Sequence, residues 1–308
     1  MSSANTMFRQ KVGIAAQQIA AQIIPLDVGN RVPTVSDWTL QLGVARGTIQ
    51  TAIQYLRDSG AVKLQFRGKK GSYIVQMDRM KLTEIAGLHG LIGVMPLPYS
   101  KKYEGLATGI YNVLNDAGLN TNLAFMRGSD NRLRTLMQER CDFAVMSELT
   151  AEYYIKMGYQ VAVVLNLGNF SYVDKHVVLV RKDFKGHFNG LKVGVDNSSI
   201  DQKMMTASFF ERYNVTYVPL IYSDIIASLR SRKIDAAVWN FDNINFSENE
   251  LSYLPISQNE LQIADTRAVI LCRQADTLVC SLLGKNVNAQ SILEYQRDVL
   301  VGRMTPRY

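Results

Sequence analysis

Apolar residues recur at helical spacing near the N-terminus, where Phe8, Val12, Ala15, Ile19 and Ile23 predict an amphipathic helix packed along one side. Gln17, Gln18 and Gln22 interrupt that run, which argues against an export signal despite Arg9 and Lys11 ahead of it. A second helix is expected to open at Pro33-Thr34, with Thr34 as its cap and Asp37 as the capping-box partner three residues on. Val35, Trp38, Thr39 and Leu42 mark one face of it, and Gly43 supplies the left-handed turn that follows. A third helix, from about Ala45 to Asp58, carries Ala45, Ile49, Ala52, Ile53 and Leu56 as a buried stripe. Val62, Leu64 and Phe66 then alternate as a strand whose partner is Ser72 to Val75, joined through the glycine-hinged tip Arg67-Gly68-Lys69-Lys70-Gly71.

Beyond a connector from about Gln76 to His89, short apolar runs alternate with helical patterns, the mark of an α/β domain. The expected division is residues 1–76, a linker at 77–89, and residues 90–308. An internal repeat runs through the last of these. Gly90-Leu91 leads a strand to Met95, Ser129-Asp130 starts a helix with Leu133 and Leu136, and residues 141–147 read CDFAVMS. Gly190-Leu191 leads a strand to Val195, Ser223-Asp224 starts a helix with Leu229, and residues 234–240 read IDAAVWN. Ser129 to Ser223 is an offset of 94 and Asp142 to Asp235 one of 93, so a single small gap aligns the copies. Each copy reads as strand, helix, strand, helix, strand, and two such units form two lobes with a cleft between them. Near the C-terminus, Val287, Ile292, Leu293, Val299 and Leu300 predict a helix that either covers the first lobe or pairs with a second subunit.

Charge changes this picture at the N-terminal end. Residues 1–81 hold 11 Lys+Arg against 4 Asp+Glu, whereas residues 82–308 hold 23 of each, so the chain's net charge of +7 sits in its first quarter. The third helix presents Arg46, Gly47, Thr48, Gln50, Thr51 and Gln54, chemistries suited to phosphates and base edges in a DNA groove. Thr34 and Ser36 stand at the start of the helix before it, and Arg67, Lys69 and Lys70 suit a wing laid along a phosphate backbone. The bland alternative is a solvated hairpin beside an ordinary helix pair.

That segment resembles the winged helix-turn-helix of GntR-type transcription regulators. Pro33, Leu42, Gly43, Val44, Arg46, Thr48, Ala52, Leu56 and Gly60 match the family pattern, with Ile49 and Ile53 as near-equivalents. Ser36 and Ala45 depart from it, and Gln50 stands where many members place Arg to read guanine, so the family's operator preference does not transfer. The two-lobed half resembles the type 2 periplasmic-binding-protein fold, and the combination is similar to the YhfZ family along the whole chain. The resemblance implies an α+β winged helix-turn-helix domain followed by a two-lobed α/β domain, and a regulator of double-stranded DNA that responds to an unidentified small-molecule effector. It is expected to act as a homodimer.

Ligands of open α/β lobes bind beyond the carboxyl ends of the strands, near helix N-termini. The turns that qualify hold Ser100, Arg127, Gly128, Ser129 and Ser147 in the first copy, with Tyr99 and Tyr103 either lining the cleft or packing on the linker. The second copy offers Asp196, Ser198, Ser199, Tyr222, Trp239 and Asn240. The hydroxyls and Arg127 suit a carboxylate or phosphate. Each serine is also a natural helix cap, Arg127 a natural surface ion pair, and Trp239 a natural core residue.

Other chemistries find little support. His89, His176 and His187 are scattered without zinc-ligand spacing, and no metal or cofactor is expected. No nucleophile elbow, Walker A sequence or dinucleotide fingerprint is present, so an enzyme is not expected, although this two-lobed fold also serves enzymes. A DNA binder without ligand control is the other alternative. Cys141, Cys272 and Cys280 form no disulfide framework, and Cys141 reads as a buried strand residue, so a reducing cytoplasm is the expected setting. No run approaches the about 18 apolar residues of a membrane span.

Overall fold

The computed structural model describes residues 3–88, 90–243, 250–257 and 259–308. His89 and the side chain of Phe8 lie outside the described residues. Two compact units form: one of Met1–Leu91, Leu114–Thr121 and Thr277–Asn286, the other of Ile92–Val113, Asn122–Asp276 and Val287–Tyr308.

In the first unit, α1 (Ser3–Ile23) buries Ala15, Ile19 and Ile23 at the predicted spacing. Helix α2 (Val35–Leu42) opens with the expected capping box: Asp37 N–H donates to Thr34 Oγ1 (3.2 Å) and Thr34 N–H donates to Asp37 Oδ2 (2.8 Å). Trp38 is fully buried and its indole N–H donates to Gln22 Oε1 on α1 (2.8 Å). Gly43 ends the helix at φ +64°, a conformation that only glycine adopts at low cost. Helix α3 (Arg46–Asp58) buries Thr48, Ile49, Ala52 and Leu56. Ala45, expected in that stripe, is the exposed residue just ahead of the helix, and Ile53 is half-buried.

Strands β1 (Val62–Phe66) and β2 (Ser72–Met77) pair antiparallel with a register shift at Lys63/Leu64, and Gly68–Lys70 form a 3-10 turn at the tip. Burial fades along β1, from a buried Val62 through a half-buried Leu64 to a Phe66 that is 74% exposed, so the hairpin projects past its core as a wing. The expected connector holds the end of β2 and a helix, α4 (Arg79–Ile85), which is capped by Asp78 and packs on α1. Seven residues are too few to display a period, and only Leu82 buries a large apolar side chain there.

The second unit holds the two lobes. Lobe one contains β3 (Leu91–Met95), α5 (Lys101–Asp116), β4 (Thr121–Phe125), α6 (Ser129–Met137), β5 (Phe143–Ser147), α7 (Glu148–Lys156) and β6 (Val161–Asn166). The chain then crosses over to form β7 (His176–Arg181), β8 (Lys192–Val195), α8 (Ile200–Phe210), β9 (Thr216–Pro219), α9 (Ile225–Arg230), β10 (Ala236–Asn240), β11 (Leu251–Pro255) and α10 (Glu260–Asp265). It returns through β12 (Ala268–Arg273) and, after α11 (Thr277–Asn286), which belongs to the first unit, ends in α12 (Ala289–Leu300). The sheets have orders β4-β3-β5-β12-β6 and β9-β8-β10-β7-β11, the same arrangement twice.

The repeated aspartate has one job in both copies. Asp142 Oδ2 accepts from Ile92 N–H (2.7 Å) while its own N–H donates to Ile92 O (2.8 Å). Asp235 Oδ2 accepts from Lys192 N–H (2.9 Å) while its own N–H donates to Lys192 O (2.7 Å). Each carboxylate thereby satisfies the first amide of a parallel ladder that backbone groups alone leave open. Helix α12 covers lobe one: a Cβ at Gly105 or Gly109 of α5 would fall 2.8 Å from Gln296 O or 2.5 Å from Ile292 O. Ile292 and Val299 are buried in that seam, whereas Leu300 stays exposed.

Candidate ligand cleft and helix-turn-helix face

Helix α3 turns Arg46, Gly47, Gln50, Thr51 and Gln54 outward, and the wing adds exposed Arg67, Lys69 and Lys70. Thr48 does not join this face, because its position beside Ile49 on the helix turns it into the core at 7% exposure. Thr34 spends its hydroxyl on the α2 cap, donating to Asp37 Oδ2 (2.8 Å), while Ser36 is exposed. Gln54 Nε2 donates to Asp58 Oδ1 (2.6 Å), and Arg67 lies 4.7 Å from the Tyr73 ring centroid. Arg31, exposed and lying over Gly71 of the wing, adds a cation to this surface that the hairpin pattern alone did not single out.

Between the lobes lies a cavity of about 300 Å³, at the lower end of the range for small-molecule sites. Lobe one contributes Leu97, Tyr99, Ser100 and Tyr103 from the turn after β3 and the start of α5, and Met126, Arg127, Gly128 and Arg132 from the turn into α6. Lobe two contributes Asp196, Ser199, Asp201 and Gln202 around the start of α8, Tyr222, Ser223 and Ile226 around α9, and Trp239 and Asn240 from the end of β10. Tyr172 and His176 enter from the segment that crosses between the lobes. These are the carboxyl ends of parallel strands in both copies, where open α/β sheets gather their ligands.

Hydrogen bonds fix the walls. Asp196 Oδ1 accepts from the N–H (2.8 Å) and hydroxyl (2.7 Å) of Ser198, and Asp196 Oδ2 accepts from Tyr222 N–H (3.0 Å). Gln202 accepts from Asp196 N–H (2.9 Å) and donates to the carbonyls of Gly194 and Val238, tying α8 to β8 and β10. The lobes touch along one rim: Arg127 Nη1 donates to Ser223 Oγ (3.1 Å), Ile200 N–H to Ser129 Oγ (3.1 Å) and Asp130 N–H to Ser198 O (3.3 Å). Gly128 permits that approach, since a Cβ there would stand 2.6 Å from Ser198 Oγ.

At the floor, His176 Nδ1 lies 2.9 Å from Asp265 Oδ2, and Asp265 is fully buried at the end of α10. Burial presses His176 toward its neutral form, but Asp265, with Asp201 and Asp242 beyond, prevails and raises its pKa above the usual value. Burial, reinforced by the Asp265 charge, raises Asp201 above the usual carboxylate range. Arg132 is 4% exposed and donates to Met126 O (3.0 Å) and Tyr172 Oη (3.2 Å), while its Nε has no hydrogen-bond partner among the described residues. The crossing segment is held by α5 and α12: Lys102 pairs with Asp174 and donates to Phe170 O (2.8 Å), and Gln296 donates to Ser171 O (2.8 Å).

Eight of the eleven residues expected in the cleft line it: Ser100, Arg127, Gly128, Asp196, Ser199, Tyr222, Trp239 and Asn240. Tyr99 and Tyr103 line it too. The other three serines serve the frame instead. Ser147 is fully buried and caps α7, Ser129 bridges to α8, and Ser198 is bound to Asp196. Sequence reasoning missed Arg132, Tyr172, His176 and Asp201, two of which lie on the crossing segment and outside the repeat. Cys141 is buried just before β5, and burial pushes its thiol up to about 11, which leaves it unreactive. Among the described residues no cluster of metal-ligating side chains occurs, and no helix is long and apolar enough to cross a membrane.

A helix-turn-helix segment followed by two α/β lobes around a cleft defines a periplasmic-binding-protein-like fold joined to a helix-turn-helix domain. Residues 27–74 match the model of a helix-turn-helix domain, and residues 78–308 match that of the YhfZ C-terminal domain. The chain belongs to the YhfZ family. It is 33% identical over 306 residues to the YhfZ protein of Escherichia coli strain K12, a match covering 98% of this chain and 99% of that one. The crystal structure of YhfZ from Shigella flexneri is 32% identical, with a TM-score of 0.65 over 74% of this chain and 97% of that one. An ancestral arginine-binding protein bound to arginine shares the fold at 12% identity, with a TM-score of 0.51 over 71% of this chain and all (100%) of that one.

Proposed function

We propose that this protein is a DNA-binding transcription regulator whose lobed domain senses a small molecule. The observation that carries the reading is the outward face of α3, where Arg46, Gln50, Thr51 and Gln54 stand clear of the core beside the cationic wing. Arginine and glutamine at such positions hydrogen-bond base edges and phosphates, and the wing lysines neutralise backbone charge. The cleft supplies the second half, since its walls come from two lobes and a bound molecule favours whichever lobe arrangement it touches best. The chain acts as a homodimer in this reading, with paired heads on successive major grooves, and as a binding protein rather than a catalyst.

The test is fluorescence anisotropy with DNA from the regulated promoter across a salt series. Affinity falling steeply with salt supports the reading, and an affinity indifferent to salt removes it. Arg46→Ala is expected to weaken binding by roughly tenfold or more, in line with loss of one good base contact. Thermal-shift screening with a fractionated metabolite extract tests the sensing half, because a ligand of the folded state raises its melting point.

A further inference from the structure

The charges around the cleft are sorted by lobe. Lobe one supplies Arg127 and Arg132, and lobe two supplies Asp196 and Asp201, with His176, bound to Asp265, at the floor between them. None of the four lobe residues is paired with an opposite charge among the described residues. Three of them are nevertheless buried: Arg132 at 4%, Asp196 at 6% and Asp201 at 8% exposure. Buried charge without a counter-charge is costly, so the cavity is built for something that supplies the missing partners.

The three differ in what they lack. Asp196 has both oxygens occupied by Ser198 and the Tyr222 amide. Asp201 receives its hydrogen bonds, from Ser199 Oγ and its neighbour Gln202 N–H, on Oδ1. Arg132 has an Nε without a hydrogen-bond partner among the described residues. Beneath them Asp265 Oδ1 also lacks a partner among the described residues, and His176 stands between Asp265 and the cavity. An anion alone would answer the arginines but would enter beside Asp196 and Asp201. A cation alone would answer Asp201 but would face both arginines. Only a molecule bearing both signs meets each wall with its complement.

We infer that the cleft takes a small zwitterion, its acidic group held by Arg127 and Arg132 of lobe one and its ammonium group held at Asp201 of lobe two. This rests on the reading of the lobed domain as a sensor and names the chemistry it senses. The ligand's body lies against Leu97, Met126, Ile226 and the rings of Tyr99 and Tyr222, which makes it a compact molecule with an apolar or planar portion. Because the two charged ends touch different lobes, a molecule bearing both adds its own tie to the hydrogen bonds that already join the lobe rims.

The experiment is isothermal titration of the full-length protein with the common α-amino acids, each alongside its decarboxylated amine and its deaminated acid. At least one amino acid is expected to bind, with both single-charge counterparts weaker by roughly tenfold or more. A counterpart binding within roughly twofold of its amino acid, or a panel in which no amino acid binds, overturns the inference. Neither result touches the sensing reading, which fails only if the metabolite extract also gives no shift. Asp201→Asn and Arg132→Gln locate the ends: each is expected to weaken the amino acid by roughly tenfold or more, with the unliganded melting point of Asp201→Asn held or raised. Wild-type affinity in a folded Asp201→Asn variant places the ammonium elsewhere and overturns the assignment.

Discussion

Tyr222 lies flat against Trp239, with ring centroids 3.9 Å apart and planes 5° from parallel. The stack joins the start of α9 to the end of β10, and the Tyr222 hydroxyl accepts from Asn240 N–H (3.0 Å), so one aromatic pair sets two of the turns that line the cleft. Trp239→Ala is expected to destabilise the protein by about 2 kcal/mol, part from lost area and part from the stacking geometry. Tyr222→Phe keeps the stack and costs about 1 kcal/mol for the lost acceptor. Urea denaturation separates the two, and equal losses would show that the hydroxyl, not the stack, organises this wall.

Gly109 sits where α12 crosses α5, with only 2.5 Å between an added Cβ and the carbonyl of Ile292. Backbone cannot yield as a flexible side chain does. Gly109→Ala is therefore expected to lose about 1 to 3 kcal/mol despite the better helix propensity of alanine. Gly47→Ala, which meets open space on exposed α3, serves as the control and should not destabilise the fold. A stable Gly109→Ala variant would mean that α12 is not seated as described.

The floor of the cleft makes stability depend on pH. His176 has a folded-state pKa above its ordinary 6.5, because Asp265 outweighs the opposing effect of burial, with Asp201 and Asp242 adding to it. The folded chain therefore binds this proton more tightly than the unfolded chain does. Its contribution is complete below 6.5 and is lost as pH rises through the folded value. Asp242, pushed up to about 6 by burial and the neighbouring Asp174, acts in the same sense over the interval from 3.8 to about 6. The stability advantage of wild type over His176→Gln should be larger at about pH 6 than at about pH 8.5, measured by thermal melting. An advantage that grows with pH contradicts the assignment.

The wing lysines have a signature of their own. Replacing Lys69 and Lys70 together with alanine should lower the salt slope of DNA binding by about two and weaken all sequences alike, as phosphate contacts do. Gln50→Ala should instead narrow the gap between preferred and unrelated DNA. If the lysine variant changed sequence preference with an unaltered slope, the roles would be reversed.

Much of the fold was legible because a few residues carry local instructions that context does not overrule. Thr34 and Asp37 announce a helix start through their own hydrogen bonds, Gly43 announces its end, and Asp142 and Asp235 recur because each closes the same ladder. The walls of the cleft were legible for a related reason, since strand ends in a repeated α/β unit can be located from the repeat. Its floor was not. Tyr172, His176 and Asp265 lie on the two crossings between lobes, which have no counterpart in the repeat and no period of their own. Arg132 looked like one more polar residue of a helix, and its burial is a product of the crossing segment packing above it. The serines misled because capping and ligand binding use the same atom in the same place, and at Ser147 the cap took it.

Lobe one has a late strand. In the order β4-β3-β5-β12-β6, strand β6 has β12 as its sheet neighbour, and between them in sequence lies the whole of lobe two. Lobe two needs only the continuous stretch from His176 to Pro255 for its five strands, so it can close while the chain is still being made. The first lobe waits, its edge strand unattached, until residues 268–273 arrive to knit β5 to β6. The topology thus allows assembly from the inside out: a chain cut short after β11 is expected to carry a finished inner lobe and an outer one with an open seam, an exposed edge of the kind that invites aggregation.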